Sequence, residues 1–363
     1  MNVFFINSTR RFGGVKAWTL NMGAALKKLG HRVHVFCRKG PFADMAYEAG
    51  LNTWAVRSFG WDYNPGSVMG FRKIFMEQDA DVVICNVGKD LRTAGIGARM
   101  AQVPVVLRVG LPGDMKDDFK VRMTHRYISP HVLAPCRFVA MGLARELSFM
   151  REDDVKVILT GKEPSPAPPE EINKPKHIIT ASQLNPDKGH TELLDALADL
   201  KKRGLGFTCE ILGTGSVEDE LKAKTSHLGL EDVVTFTGFS SNVRSRMRRA
   251  DIFVLPSKSE GLPNALLEAL AEGLAPVAGD VGGVSEAWPP AAQGLLFDRT
   301  LGARGMAAAL ESLISMDDHD FLALREDVWK WFSRELSLAV QAEKLSSWLL
   351  EIAGRNFEQR RMP

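Results

Sequence analysis

The feature that most restricts the fold of this chain is a repeated unit: a short apolar run, a glycine-bearing loop, then a helical stretch with one apolar face. Repeats of that unit imply a parallel sheet wrapped by helices, an α/β fold. Its fullest copy spans residues 250–270. Ile252-Phe253-Val254-Leu255 is bounded by Asp251 and Pro256, as suits a strand covered on both faces. A loop carrying Glu260 follows, then a helix carrying Glu268. Pro263 suits the first helical position, where its missing N–H costs nothing. A helix start offers unpaired N–H groups and a positive dipole end, a seat for phosphate oxygens. Glu268 lies four residues after Asn264 and three after Ala265, on the same helix face. Two carboxylates flanking an anion seat fit a sugar-nucleotide site. A solvated helix residue and a loop charge fit the same spacing.

The unit also opens the chain. Val3–Ile6 reads as a strand, and Asn7–Phe12 as a polar loop closing on Gly13-Gly14. A helix from about Val15 to Leu29 keeps Ala17, Leu20, Ala24 and Ala25 on one face, and Val33–Cys37 is the second strand. The G-x-G-x-x-G pattern is missing, so Gly13-Gly14 reads as close backbone approach to a ligand or as a tight turn. Further apolar runs continue to Val155–Leu159, with a charged helical stretch near Lys116–Tyr127 and Phe138-Val139-Ala140 as a strand-like piece. Asp79-Ala80-Asp81 has the D-x-D form of a divalent-metal site, but it leads straight into a strand and reads as a polar strand entry. In the second half, strands run into Ser182–Gly189, Gly213-Thr214-Gly215, Gly238-Phe239, the Glu260 loop and Gly282-Gly283. Ligands of doubly wound folds sit outside the carboxyl ends of the strands. The loops at Gly13, Lys188, Gly213, Gly238 and Glu260 can therefore converge on one interdomain cleft.

A chain of 363 residues exceeds one compact core and suggests two domains. Residues 163–171 carry four prolines, a stiff extended segment. The expected division is a first Rossmann-like domain over 1–163, a linker over 164–175, and a second Rossmann-like domain over 176–335. A C-terminal helix over 336–363 is free to pack back on the first domain. The composition, 45% hydrophobic and 25% charged, excludes disorder and fibrous classes. Cys37, Cys85 and Cys209 fall in strands and no cysteine pair has metal-ligand spacing, so buried thiols in a reducing cytoplasm are expected. Met1–Ile6 is too short for a signal core, and no apolar run spans a bilayer.

Charge is divided unevenly. Residues 1–163 hold 24 Lys and Arg against 15 Asp and Glu; from totals of 46 and 44, the remainder keeps 22 basic and 29 acidic residues. A basic half fits an anionic partner: a membrane surface, a phosphorylated acceptor or nucleic acid. Scattered solvated charge fits as well. Arg244, Arg246, Arg248 and Arg249 spread around their helix rather than forming a stripe, which argues against nucleic acid.

Taken together, the motifs resemble the retaining glycosyltransferases of family 4. Pro256-Ser257, Glu260-Gly261 and Glu268-Ala269 resemble that family's P-S-x-x-E-G-x-x-x-x-x-x-E-A signature. Pro276-Val277 with Gly282-Gly283-Val284-Ser285-Glu286, Asp187-Lys188-Gly189, and Gly13-Gly14 resemble its other segments. The resemblance implies the GT-B fold, two facing Rossmann-like domains with an interdomain cleft. It implies that Lys188 pairs with the donor diphosphate, Glu268 with ribose hydroxyls and Glu260 with the donor sugar. Backbone N–H groups of Gly261, Leu262, Asn264 and Ala265, beside Pro263, would hold phosphate. Gly213 and Phe239 would flank the base, and Gly13 and Gly14 would approach the diphosphate.

Two departures from the family pattern stand out. Gln183 occupies a place where an arginine is common, and no histidine stands near Leu107–Gly110. Arg108 and Asp114 are then the candidates for the first domain's catalytic group. The expected activity is metal-independent, retaining transfer from a UDP- or GDP-linked sugar, with no cofactor, to a glycan, lipid-linked or other cell-envelope acceptor. The expected location is the cytoplasm, at the inner face of the membrane. The alternative is a non-catalytic sugar-nucleotide sensor or assembly subunit.

Overall fold

Val3–Ile6 is entirely apolar, and every one of its side chains is withdrawn from solvent, as is each of Val82–Cys85 beside it. Such strands survive only with helices on both faces, which is how a parallel sheet is covered. The computed structural model describes residues 1–10, 13–240 and 242–361, the last seven by backbone alone. Arg11 and Phe12 of the expected opening loop lie outside the described residues.

The chain divides into two units, residues 1–161 with 338 onward, and Lys162–Ser337. The first unit holds β1 (Asn2–Asn7), β2 (Arg32–Arg38), β3 (Asn52–Val56), β4 (Val82–Cys85), β5 (Val105–Arg108), β6 (His131–Ala134) and β7 (Val155–Val157). All pair in parallel, in the order β3-β2-β1-β4-β5-β6-β7. Its helices are α1 (Gly14–Lys28), α2 (Pro41–Glu48), α3 (Pro65–Glu77), α4 (Gly88–Asp90), α5 (Ile96–Met100), α6 (Phe119–Ile128) and α7 (Arg137–Glu146).

The second unit holds β8 (Lys176–Ala181), β9 (Phe207–Leu212), β10 (Val234–Gly238), β11 (Ile252–Leu255), β12 (Ala275–Gly279) and β13 (Leu296–Phe297). They pair in parallel as β10-β9-β8-β11-β12-β13. Around them lie α8 (His190–Lys202), α9 (Glu218–His227), α10 (Val243–Met247), α11 (Asn264–Ala271), α12 (Gly302–Ser315) and α13 (Asp318–Glu335). The last helix, α14 (Leu338–Arg361), belongs to the first unit. Ala342, Leu345, Leu349 and Ile352 share one helix face and enter the core formed by Met22, Leu26 and Val33. Ser346 adds a 2.6 Å hydrogen bond with His31 Nε2.

Several local expectations change. Phe138-Val139-Ala140 is not strand-like but the first turn of α7. A three-residue apolar run is too short to separate strand from helix, and the packing of α7 decides it. The basic helix is confined to Val243–Met247. The proline-rich segment is laid along the second unit: Ser165 N donates to Ala271 O (2.8 Å), and Trp329 Nε1 donates to Ser165 O (3.1 Å). Asp81 of the D-x-D accepts from Asn2 N at 2.7 Å, so it ties the start of β1 to the entry of β4. All four cysteines are buried thiols, and burial pushes Cys37 up to about 11 and Cys209 up to about 12.

Candidate active site

In the second sheet the chain leaves β8 and β11 in opposite directions, which opens a crevice at their carboxyl ends. The loops after these strands, 182–189 and 256–263, are fastened together. Lys258 N donates to Asp187 O (2.8 Å), and Lys188 Nζ meets Glu260 Oε1 at 2.8 Å. The two side chains remain 20% and 15% exposed, so solvent still reaches the pair.

Glycine makes the platform rigid. Gly213 has φ +135°, and a Cβ there would lie 1.8 Å from Ser182 O. Gly282 has φ +58°, and its Cβ would lie 1.8 Å from Glu260 O. No other residue admits both the backbone conformation and the approach. Gly213 N donates to Gly238 O (2.9 Å), and Gly283 N to Gly261 O (2.7 Å). The loops after β8, β9, β10, β11 and β12 thus form one backbone-locked surface, with Phe239 exposed at its edge.

α11 begins one residue later than expected, at Asn264. Pro263 has φ −74° and ψ 116°, an extended capping conformation, and its carbonyl accepts from Leu267 N at 3.3 Å. No side chain caps this end, so the early N–H groups of the helix, at Asn264 and Ala265 among others, lack intrahelical acceptors. Glu268 lies one turn along. Its Oε1 accepts from Lys162 Nζ at 2.7 Å, and the lysine is almost wholly buried. Lys162 is a candidate that no motif announced; only the fold brings it to Glu268 across 106 positions of sequence. Gln183 is exposed, and its Oε1 accepts from Asn185 Nδ2 at 3.2 Å. Beneath the loop His190 is buried, and burial, then the nearby Lys188, lower its pKa to about 4.

The first sheet has its own reversal, between β1 and β4. Here Asp90 is fully buried. It accepts from Ser8 N (3.0 Å), Asn86 N (3.2 Å) and Val87 N (3.2 Å), tying together the loops after both strands. Burial raises its pKa to about 7 against the pull of those donors. Asp90 too went unnoticed in the sequence, where it stands in no pattern. Asn7 Nδ2 and Asn86 Oδ1 are buried there with no hydrogen-bond partner.

The candidates named for this half lie on the same carboxyl edge. Gly13 caps α1 in extended conformation and Gly14 begins it; among the described residues, nothing beyond its chain neighbours lies within 4 Å of a Cβ placed at Gly13. Arg108 ends β5, buried, with its guanidinium 4.5 Å over the Trp18 ring. Burial lowers its pKa to about 10, with Asp114 acting the other way. Asp114 Oδ2 accepts from Gly110 N (3.2 Å) and Leu111 N (2.8 Å), so that oxygen is engaged in its own turn. Of the four arginines near α10, Arg244 and Arg248 reach the buried Glu272, and Arg246 reaches Glu210 at 2.7 Å.

The described residues thus carry two Rossmann-like sheets, and in the second a locked crevice with paired carboxylates. Residues 161–327 match the model of the group 1 glycosyl transferases, and residues 12–165 that of glycosyltransferase family 4. The chain belongs to the family 4 glycosyltransferases. WcaL of Escherichia coli K12, named for colanic acid biosynthesis, is 32% identical over 195 residues, covering 49% of this chain and 48% of WcaL. AmsK of Erwinia amylovora, an amylovoran biosynthesis glycosyltransferase, is 34% identical over 123 residues, covering 32% of this chain and 30% of AmsK. The matched region therefore spans about half the length of these relatives, or less.

Among solved structures, a glycosyltransferase from Rickettsia africae superposes with TM-score 0.79 at 19% identity, covering 97% of this chain and 98% of its own. HepE of Anabaena, in complex with UDP-glucose, gives TM-score 0.74 at 19% identity, covering 97% and 100%. At that identity they establish the fold, which is GT-B.

Proposed function

We propose that this family 4 chain is a retaining transferase that moves a sugar from a UDP- or GDP-linked donor to a glycan or lipid-linked acceptor of the cell envelope, working at the cytoplasmic face of the membrane. The observation that carries the reading is the pair of lysine–carboxylate contacts, Lys188–Glu260 and Lys162–Glu268, beside the uncapped start of α11.

The two pairs divide the work. The Lys188–Glu260 pair is reached by solvent and can exchange partners. A donor diphosphate would take the ammonium and release Glu260 to accept hydrogen bonds from the donor sugar. Lys162 is buried and holds Glu268 in place, so that carboxylate would meet ribose hydroxyls as a fixed acceptor. The N–H groups of Gly261, Leu262, Asn264 and Ala265 would face the phosphate. Charge builds on the leaving diphosphate in the transition state, so donors already aimed there favour the transition state over the ground state. Lys188 and the helix start supply that stabilisation from the chain itself, which supports a metal-independent reaction. Arg108, held on Trp18, is the stronger candidate for the first unit's contribution, because one Asp114 oxygen is spent on its own loop. The mannosyltransferase of Mycobacterium tuberculosis named as GDP-mannose-dependent is 31% identical over 176 residues, and HepE holds UDP-glucose; the donor base stays open between these.

The test is transfer followed by mass spectrometry over a panel of sugar nucleotides and acceptors, with binding read by thermal shift. Lys188→Ala should weaken donor binding by about 30-fold, the loss of a charge-assisted contact of roughly 2 kcal/mol. Glu268→Ala should weaken it comparably, and unchanged affinity in both variants would sink the site. Gln183, which brings no charge to the diphosphate, favours a second reading as a sugar-nucleotide sensor. Donor binding without transfer to any acceptor of the panel would select it.

A further inference from the structure

Among the described residues, the solvent face of α6 is built like an interfacial surface. Its ten residues are Phe119-Lys120-Val121-Arg122-Met123-Thr124-His125-Arg126-Tyr127-Ile128. At 100° per residue, Val121, Thr124, His125 and Ile128 fall on one side, and these are its buried or half-buried positions. Phe119, Met123 and Tyr127 follow one another four apart on the other side, and they are 78%, 47% and 52% exposed. Lys120 flanks this stripe on one side, Arg126 and Arg122 on the other, all exposed. The helix contains no acidic residue. The two acids before it are engaged: Asp118 caps the helix by accepting from Val121 N (2.8 Å), and Asp117 pairs with Arg122 at 2.5 Å.

Three large apolar side chains in one exposed row are costly to leave in water, and such patches mark contact surfaces. An apolar centre bordered by cations on both sides is the pattern of a helix lying in the plane of an anionic bilayer, with its rings at the acyl boundary and its charges among headgroups. No helix among the described residues is long and apolar enough to cross a membrane, so this contact would be peripheral. The excess of nine positive charges over residues 1–163 acts in the same direction.

We infer that α6 seats the first unit on an anionic lipid surface through Phe119, Met123 and Tyr127, with Lys120 and Arg126 at the headgroups. The buried side of the same helix lines a hollow of about 240 Å³, through Val121, Thr124 and His125, together with Leu107, Asp114 and Lys116. Seating the outer face on the bilayer brings that hollow next to membrane-anchored molecules. Resting on the transfer reading above, the acceptor is then one whose polar head is presented at the membrane surface.

The experiment is co-sedimentation of the full chain with vesicles of phosphatidylcholine alone and of phosphatidylcholine with phosphatidylglycerol. The wild type should bind the anionic vesicles, leave the zwitterionic ones in solution, and release as salt is raised. The combined Phe119→Ser, Met123→Ser and Tyr127→Ser variant should bind at least about tenfold more weakly. The Lys120→Glu, Arg126→Glu variant should do the same, since each cation at the surface counts separately. All five positions are exposed, so unchanged thermal melting verifies the fold. Wild type that ignores anionic vesicles, or variants that bind as well as wild type, would overturn the inference. So would a wild-type dimer that the serine variant splits without any lipid binding, which assigns the face to a second copy of the chain. Donor-induced thermal shift in the same samples reports on the transfer reading, so either proposal can fail alone.

Discussion

The two units reverse their sheets at corresponding places, between β1 and β4 in the first and between β8 and β11 in the second. Each reversal is bridged by a carboxylate, but with opposite consequences. Asp90 is fully buried and accepts three backbone N–H groups, a permanent staple with no opening to a ligand. Glu260 bridges the second through a lysine that solvent reaches, so its partner can be replaced. The same topological position thus serves as scaffold in one unit and as an exchangeable ion pair in the other. Being at the carboxyl ends of the strands does not itself make a binding site; the partners of the bridging charge decide.

The sharpest way to break this comparison is through the glycines. Gly282→Ala drives a Cβ against Glu260 O at a left-handed position and should destabilise the second unit by upwards of about 4 kcal/mol. Gly13→Ala meets nothing and has extended backbone, so its stability should stay within about 0.5 kcal/mol of wild type. Urea unfolding of the two variants checks both. Equal losses would mean that the glycine loops of the two units are constrained alike.

Next in size is Asp90→Ala, which strands three buried N–H groups and should cost about 3 kcal/mol. Because the staple lies in the first unit, the affinity for nucleoside diphosphates, read by calorimetry, should be unaltered. A large loss of affinity in a variant that still folds would make Asp90 part of a ligand site.

Acid should separate the units further. Burial holds His190 in the second unit and His125 in the first at about 4, below their ordinary 6.5. Each therefore contributes stability that is complete above pH 6.5 and lost as pH falls through about 4. Asp90 runs oppositely. Raised from 3.8 to about 7, its contribution is complete below pH 3.8 and lost as pH rises through about 7. Acidification from neutral to about pH 5 should weaken the second unit by up to about 2 kcal/mol, whereas in the first Asp90 acts against His125 and against His31 and His34, which burial also lowers. Peptide-resolved amide exchange, corrected for its intrinsic pH dependence, should show protection falling faster over 176–335. Parallel losses in both units would remove the contrast.

What could be read in advance follows the same division. The second unit's loops are locked by backbone approach, and only glycine permits it, so the constraint leaves glycines and fixed spacings in the sequence. The β/α alternation was legible for a related reason: burial on both faces demands continuous apolar runs such as Ile252–Leu255. Contacts made by one side chain over a long separation leave no such trace. Lys162 reaches Glu268, and Asp90 reaches Ser8 across 82 positions, from unremarkable surroundings. Phe138–Ala140 failed differently, because three apolar residues carry no period.

The smallest expected effect tests which part of the second unit's crevice governs donor affinity. Gln183 sits on the β8 loop, exposed, its Oε1 accepting a 3.2 Å hydrogen bond from Asn185 Nδ2, and it has no charge of its own. Gln183→Arg leaves the fold alone because nothing buried changes. If the diphosphate lies against the β8 loop beside Lys188, the added guanidinium should raise donor affinity by roughly fivefold, about 1 kcal/mol for a solvent-reached charge pair, and the gain should shrink with salt. If affinity is indifferent to Gln183→Arg while Lys188→Ala still weakens it, the phosphates rest mainly on the start of α11, and Lys188 acts by releasing Glu260 rather than by holding the donor itself. Titration calorimetry at two salt concentrations distinguishes these arrangements, because only the first adds a salt-sensitive contact.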